Sequence, residues 1–216
     1  MRLITIVTCL LALLALPTMA AVYVQDFENG NPEGWTFGLG GIIADGGNPG
    51  AWLNSDDLNT FAPMLRCANG APNFTGNYVA MGVSRIGGDF RTDRADNGTQ
   101  YYPFTVLLRN DMGTPLDIEA DIYVYPNPET QVCPQLGEGW VHYDFAIPSQ
   151  FQGDAGELPE GWMGGSYMTG GDWFPEDAYF HEVISNVSGI EFWWFHPAWF
   201  GIFTWWNVGA DNLEIE

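Results

Sequence analysis

The chain has 216 residues, 27 of them Asp or Glu and only 6 Lys or Arg, giving a formal charge of −21. That balance excludes a nucleic-acid partner, whose phosphates need cationic neutralisation, and disfavours an anionic membrane surface. Abundant aromatic residues exclude a disordered chain.

Residues 1–20, MRLITIVTCLLALLALPTMA, place Arg2 before an apolar run from Leu3 to Leu16, then Pro17 and the small residue Ala20. This is the layout of a secretory signal peptide. The run is short for a membrane span, which needs about 20 apolar residues. Cleavage leaves a single domain, 21–216, that is secreted, extracellular or periplasmic, with no membrane insertion. Cys67 and Cys133 then remain, and an even count in an exported chain predicts a disulfide between them.

Turn chemistry recurs about every ten residues: NGNPEG, DGGNPG, NGAP, IGG, DNG, DMGTP, YPNPE. Such punctuation predicts many short strands. In chain order they are Val22–Phe27, Trp35–Phe37, Tyr78–Val83, Tyr101–Leu108, Ile118–Tyr125, Trp140–Ile147, Ile190–Phe195, Ile202–Val208 and Leu213–Ile215. In LDIEADIYVYP, Leu116, Ile118, Ala120, Ile122 and Val124 share one side; Asp117, Glu119, Asp121, Tyr123 and Tyr125 share the other. That predicts a half-buried antiparallel strand with a wet face. In WVHYDFAIP the inward set is Val141, Tyr143, Phe145 and Ile147, or its complement. One helix is expected over 175–186, where Phe180, Val183, Ile184 and Val187 fall at helical spacing behind Pro175, with Gly189 closing it. The expected fold is an all-β antiparallel sandwich, of jelly-roll type, with that one short helix.

The stretch FWWFHPAWFGIFTWW, 192–206, holds nine aromatic residues, including five of the ten tryptophans. His196, Pro197 and Thr204 argue against a membrane span. It reads as strand, turn at HPAWFG, and returning strand. Ile190, Phe192 and Trp194 form the core side, and Glu191, Trp193 and Phe195 the other.

Catalytic signatures are missing. GGSYMTGG around Ser166 lacks GxSxG, and FHEVIS at His181 has Ser where HExxH needs a second His. A glycosidase needs two carboxylates across the scissile bond. Glu191 and Glu214 are candidates if their strands are neighbours. Calcium is the better-supported metal, since Asp- and Gly-rich loops supply the six to eight oxygens it takes. DFENG (Asp26, Glu28) and ADN (Asp211) would meet if the terminal strands pair. A second acidic loop, GDFRTDRADNG, carries Asp89, Asp93, Asp96 and Asn97, but Arg91 and Arg94 are alternative partners for those carboxylates.

DFENGNPEGWTFGLGG, GGNPGAWL, GDFRTDR, GWVHYDFAIPS and the close DAYFHEVISNVSGIEF…VGADNLEIE occur in order. Together they resemble laminin-B-like (laminin domain IV) and galactose-binding-like carbohydrate-binding jelly-roll modules. The resemblance implies an extracellular, usually non-catalytic module. It also implies a structural Ca²⁺ held by an early acidic residue and a late Asp, here Glu28 and Asp211.

The expected function is therefore binding of carbohydrate or another extracellular polymer. Aromatic rings stack on the apolar faces of sugar rings. Candidate platforms are Trp193, Trp199, Trp205 and Trp206, with Trp173 and Tyr167 outside the main stretch. A structural or adhesive domain using the aromatics as a protein interface is the alternative. A polysaccharide hydrolase or lyase is a third reading.

Overall fold

Strands interrupted this often by Gly, Asn and Pro are short, and burying one apolar face of each takes two packed layers. The computed structural model describes residues 22–67, 71, 73–114, 121–154, 157–166, 180–197, 199 and 201–216. The expected signal segment, Tyr167, Trp173 and the start of the expected helix lie outside the described residues.

Two antiparallel sheets form a β-sandwich. The seven-stranded sheet has the order β10 (Val141–Ala146), β7 (Arg85–Ala95), β13 (Thr204–Ile215), β4 (Gly50–Asn54), β3 (Gly41–Gly47). In it β1 (Tyr23–Gln25) and β5 (Leu58–Thr60) also pair with β13. The six-stranded sheet runs β11 (Trp162–Ser166), β9 (Ile122–Pro126), β8 (Thr105–Asn110), β12 (Gly189–Trp193), β6 (Met64–Cys67), β2 (Trp35–Thr36). The terminal strands do pair, with Tyr23 opposite Ile215.

The core is aromatic. Phe90 of β7 lies 4.7 Å from Phe192 and 4.9 Å from Phe104, and edge-on to Trp194 at 5.6 Å. Each such pair adds about 0.5–1.5 kcal/mol beyond its buried area. Phe192 and Trp194 are fully buried, on the side expected for them. Tyr143 and Phe145 of β10 also face inward, which selects one of the two registers left open by the sequence.

Several expectations are corrected. Residues 78–81 form a one-turn helix, α1 (Tyr78–Met81), not a strand. The Asn77 side chain caps its start by accepting from the Ala80 N–H, and Gly82 ends it in the left-handed conformation. Caps at both ends override the β propensity of Tyr78 and Val79. The later helix, α2 (Phe180–Ile184), buries Phe180, Val183 and Ile184 as expected.

The aromatic stretch is not a hairpin, because β12 and β13 belong to different sheets. The segment between them crosses from one layer of the sandwich to the other. No helix among the described residues is long and apolar enough to cross a membrane.

The supposed wet face of β9 is dry. Tyr123 and Tyr125 join Leu107 and Trp193 in a second apolar cluster on the outward side of the six-stranded sheet. Asp121 is also buried, held by Arg109 at 3.0 Å. Alternation in one strand cannot show that aromatic residues of adjacent strands will gather on its second face.

Cys67 and Cys133 are separate buried thiols with no disulfide between them. Cysteine parity is only a compositional signal; Cys67 packs inward from β6, while the Cys133 Sγ–H points to the Thr99 carbonyl at 3.8 Å. Burial pushes both thiols up to about 12. At pH 8 only about one in ten thousand would be thiolate. Iodoacetamide is therefore expected to leave both unmodified in the native protein and to label both in guanidinium, as read by mass spectrometry. Rapid labelling of the native protein would contradict this packing.

Candidate functional site

Of the platform candidates, Trp193 and Trp206 are buried and unavailable to a ligand. Trp193 donates its indole N–H to Glu191 at 2.9 Å within the second cluster, and Trp206 points into the core. Trp199 and Trp205 are the exposed ones, at 45% and 42%. Trp199 stacks on the buried ring of His196 at 4.9 Å, with an 8° interplanar angle, and meets Phe195 edge-on. Burial lowers the pKa of His196, so a neutral ring backs the indole. Trp205 carries the Arg94 guanidinium 5.6 Å from its ring centre. Arg94 is itself held by Asp96 and Asp57.

A cleft of about 500 Å³ is lined by Asn97, Thr99, Gln100, Tyr101, Tyr102 and Gln135. The Asp96 N–H donates to the Trp205 carbonyl at 3.1 Å, which ties the start of this loop to the strand. Tyr102 packs against Phe195 and Trp206, which anchors this lining residue to the aromatic stretch. Tyr101 stands out at 85% exposure. The Gln135 amide bonds to the Thr99 and Cys133 carbonyls and serves to hold the loops together. The sequence reading missed Tyr101 and Tyr102 because it placed them at the start of a strand. The preceding DNGTQ turn was the signal that they belong to a loop.

A second aromatic group was also missed. On the outward face of the seven-stranded sheet, Trp52 and Trp140 meet edge-on at 5.4 Å. Arg91 lies over both rings, at 5.0 and 5.1 Å. The indole N–H groups donate to the Asp45 and Gly46 carbonyls. With Arg91 covering the rings, this group locks the β3–β4 turn in place.

Acidic residues sort into distinct sets. Arg91 pairs with Asp93 and Arg94 with Asp96, the alternative to a second calcium loop. Glu191 and Glu214 lie on β12 and β13, in different sheets, and so are not on neighbouring strands. Period-2 alternation places a residue on a face but does not say which sheet its strand joins. On the same outward face as Trp52, His142 pairs through Nδ1 with Asp89 at 2.8 Å. Burial alone would lower its pKa, but Asp89, Asp144 and Glu214 outweigh that and raise it.

Glu28 and Asp211 do converge. The Gly47–Gly50 turn seats on both: a Cβ at Gly50 would lie 1.7 Å from Glu28 Oε1, and one at Gly47 2.7 Å from Asp211 Oδ2. Asp211 is fully buried and accepts from the Asn48 N–H at 2.6 Å. Burial, with the charges of Asp89 and Glu28, raises its carboxyl to about 6. The buried Asp211 carboxyl with the Glu28 carboxylate nearby makes a donor set that fits a hard divalent cation. Asp26 is exposed and spends a carboxylate oxygen on the Glu28 N–H at 3.1 Å.

The fold is similar to parts of two solved structures. One is an exo-beta-agarase, at a TM-score of 0.48 and 15% identity over 88% of this chain; this chain spans 25% of the agarase chain. The other is a non-crystalline cellulose specific carbohydrate-binding module, CBM28, at a TM-score of 0.35 and 14% identity over 88% of this chain and 91% of that one. No protein-family model and no curated protein matches the sequence.

Proposed function

We propose that this chain is a secreted, non-catalytic β-sandwich module that binds carbohydrate at the loop end bearing Tyr101, Trp199 and Trp205. The observation that carries this reading is the exposed Tyr101 ring in a cleft that also offers Asn97 and Gln100, together with the exposed rings of Trp199 and Trp205 in the aromatic stretch. Flat rings take the C–H faces of a pyranose, and amides take its hydroxyls. The motif order that resembles laminin-B-like and galactose-binding-like modules supports the same reading. Ca²⁺ held by Glu28 and Asp211 has a structural role in it, pinning the Gly47–Gly50 turn to the last strand.

The test is affinity electrophoresis and pull-down against a panel of soluble and insoluble polysaccharides. Retention by at least one polymer is expected. Trp205→Ala and Tyr101→Ala should each weaken it about five- to thirtyfold, as expected for the loss of a stacking ring worth about 1–2 kcal/mol. Folded protein that no polymer retains would sink the proposal. Release of reducing or unsaturated sugars from any of these polymers would replace it with a hydrolase or lyase.

One observation favours the adhesive alternative: Ile202 and Phe203 are 69% and 70% exposed in the same connection. Sugar stacking gives no reason for an exposed Ile, whereas protein interfaces bury such side chains. Sedimentation of the wild type against Phe203→Asp decides this. Self-association that the variant abolishes would favour the adhesive domain, and monomers in both would remove it.

A further inference from the structure

We propose a transition-metal site, of the kind that takes Zn²⁺, on the outward face of the seven-stranded sheet, with His142, Asp144 and Glu214 as its ligands. These residues sit on two strands, β10 and β13, that flank β7. His142 and Asp144 lie on β10 opposite Asp89 and Gly87 of β7, and Gly87 in turn lies opposite Glu214 of β13. Their ligand atoms all lie within 4.8 Å of one another.

The spacing fits a metal better than a hydrogen bond. His142 Nε2 lies 3.4 Å from Asp144 Oδ1 and 3.5 Å from Glu214 Oε1. Tetrahedral ligands at the usual Zn–N and Zn–O lengths stand about 3.3 Å apart. The other ring nitrogen is already spoken for. Its contact with Asp89 leaves Nε2 facing the Asp144 and Glu214 oxygens.

Each ligand also has an outer partner, as ligands of metal sites generally do. Asp89 orients the imidazole, and it is itself held by the side-chain amides of Asn48 and Asn212. Arg85 Nη1 donates to the same Asp144 Oδ1 and Glu214 Oε1 and holds the two carboxylates together. Arg85 does not supply the missing charge. It is shared among Asp144, Glu214 and Glu216, with Asp89 adjacent, so the group stays negative. The floor of the site is kept open by Gly87, where a Cβ would lie 2.9 Å from Asp144 Oδ1 and 3.4 Å from Glu214 Oε1. Three protein ligands leave the remaining position to water or an incoming group.

The experiment is Zn²⁺ titration by isothermal calorimetry, with millimolar Ca²⁺ present so that Glu28 and Asp211 do not contribute. Co²⁺ substitution serves as a spectroscopic reporter. One Zn²⁺ per chain is expected. His142→Ala should weaken it at least tenfold, and Glu214→Gln should do the same. Co²⁺ should give the intense visible bands of a four- or five-coordinate site, absent in His142→Ala. His142 is half exposed on a sheet surface, so circular dichroism should show the variant folded. No Zn²⁺ binding, or binding that both variants leave unchanged, would overturn the proposal.

Discussion

Replacing Trp194 by alanine is expected to lower the unfolding free energy by about 3–5 kcal/mol, the usual cost of emptying a large aromatic site in a core. The side chain is fully buried, and its ring meets Phe37, Phe90 and Phe104 edge-on. Its indole N–H donates to Thr92 Oγ1 at 3.2 Å, so truncation also strands a buried hydroxyl. For a domain of this size the midpoint should fall by about 10 °C or more. Trp205→Ala, eleven positions along the same stretch, should cost about 1 kcal/mol or less, because that ring is partly in solvent and outside the core. Thermal and urea denaturation of the two variants measures both. Equal losses would show that the division of this stretch into core and surface is wrong.

The second large effect concerns Ca²⁺. A ligand at a hundred times its dissociation constant stabilises the folded state by about 2.7 kcal/mol. Millimolar Ca²⁺ is therefore expected to raise the melting temperature by several degrees above that in EDTA. Glu28→Gln should remove this response, since it takes away the charge but keeps an oxygen for the Ala51 N–H at 2.8 Å.

The response should also depend on pH, with a definite sign. Burial, the first cause, raises the Asp211 carboxyl to about 6. Such a group favours folding at low pH, and that contribution is lost as pH rises from about 4, its unfolded value, through about 6. Metal-free protein should therefore lose stability over that window, and Ca²⁺ should restore it above pH 6, where the carboxylate is free to bind. A melting temperature indifferent to Ca²⁺ at pH 7 would dismiss this site.

Much of the fold was legible because its causes are local. Turn residues at short intervals gave the sandwich, and the spacing of Phe180, Val183 and Ile184 gave the helix. The pairing of Ile190 with Phe192 and Trp194 identified the core side of β12. The errors share a different origin. Asn77 and Gly82 cap a helix too short to show a period. Cys67 and Cys133 were joined by count alone. Tyr123 and Tyr125 were assigned to water although Leu107 and Trp193, distant in sequence, cover the same surface.

The candidate sites divide in the same way. Glu28 and Asp211 are singled out by the resemblance to sugar-binding jelly rolls, on the condition, met here, that the terminal strands pair. His142, Asp144, Glu214 and Asp89 could not be, because they converge only through the register of β10, β7 and β13.

For the aromatic stretch, alternation decided from sequence alone that one face of β12 is core. It could not decide that β12 and β13 enter different sheets, that Trp193 lies under a second apolar cluster, or that Trp199 and Trp205 reach solvent. Burial is a property of what lies above a side chain. For a strand in a sandwich, that cover comes from residues far away in sequence.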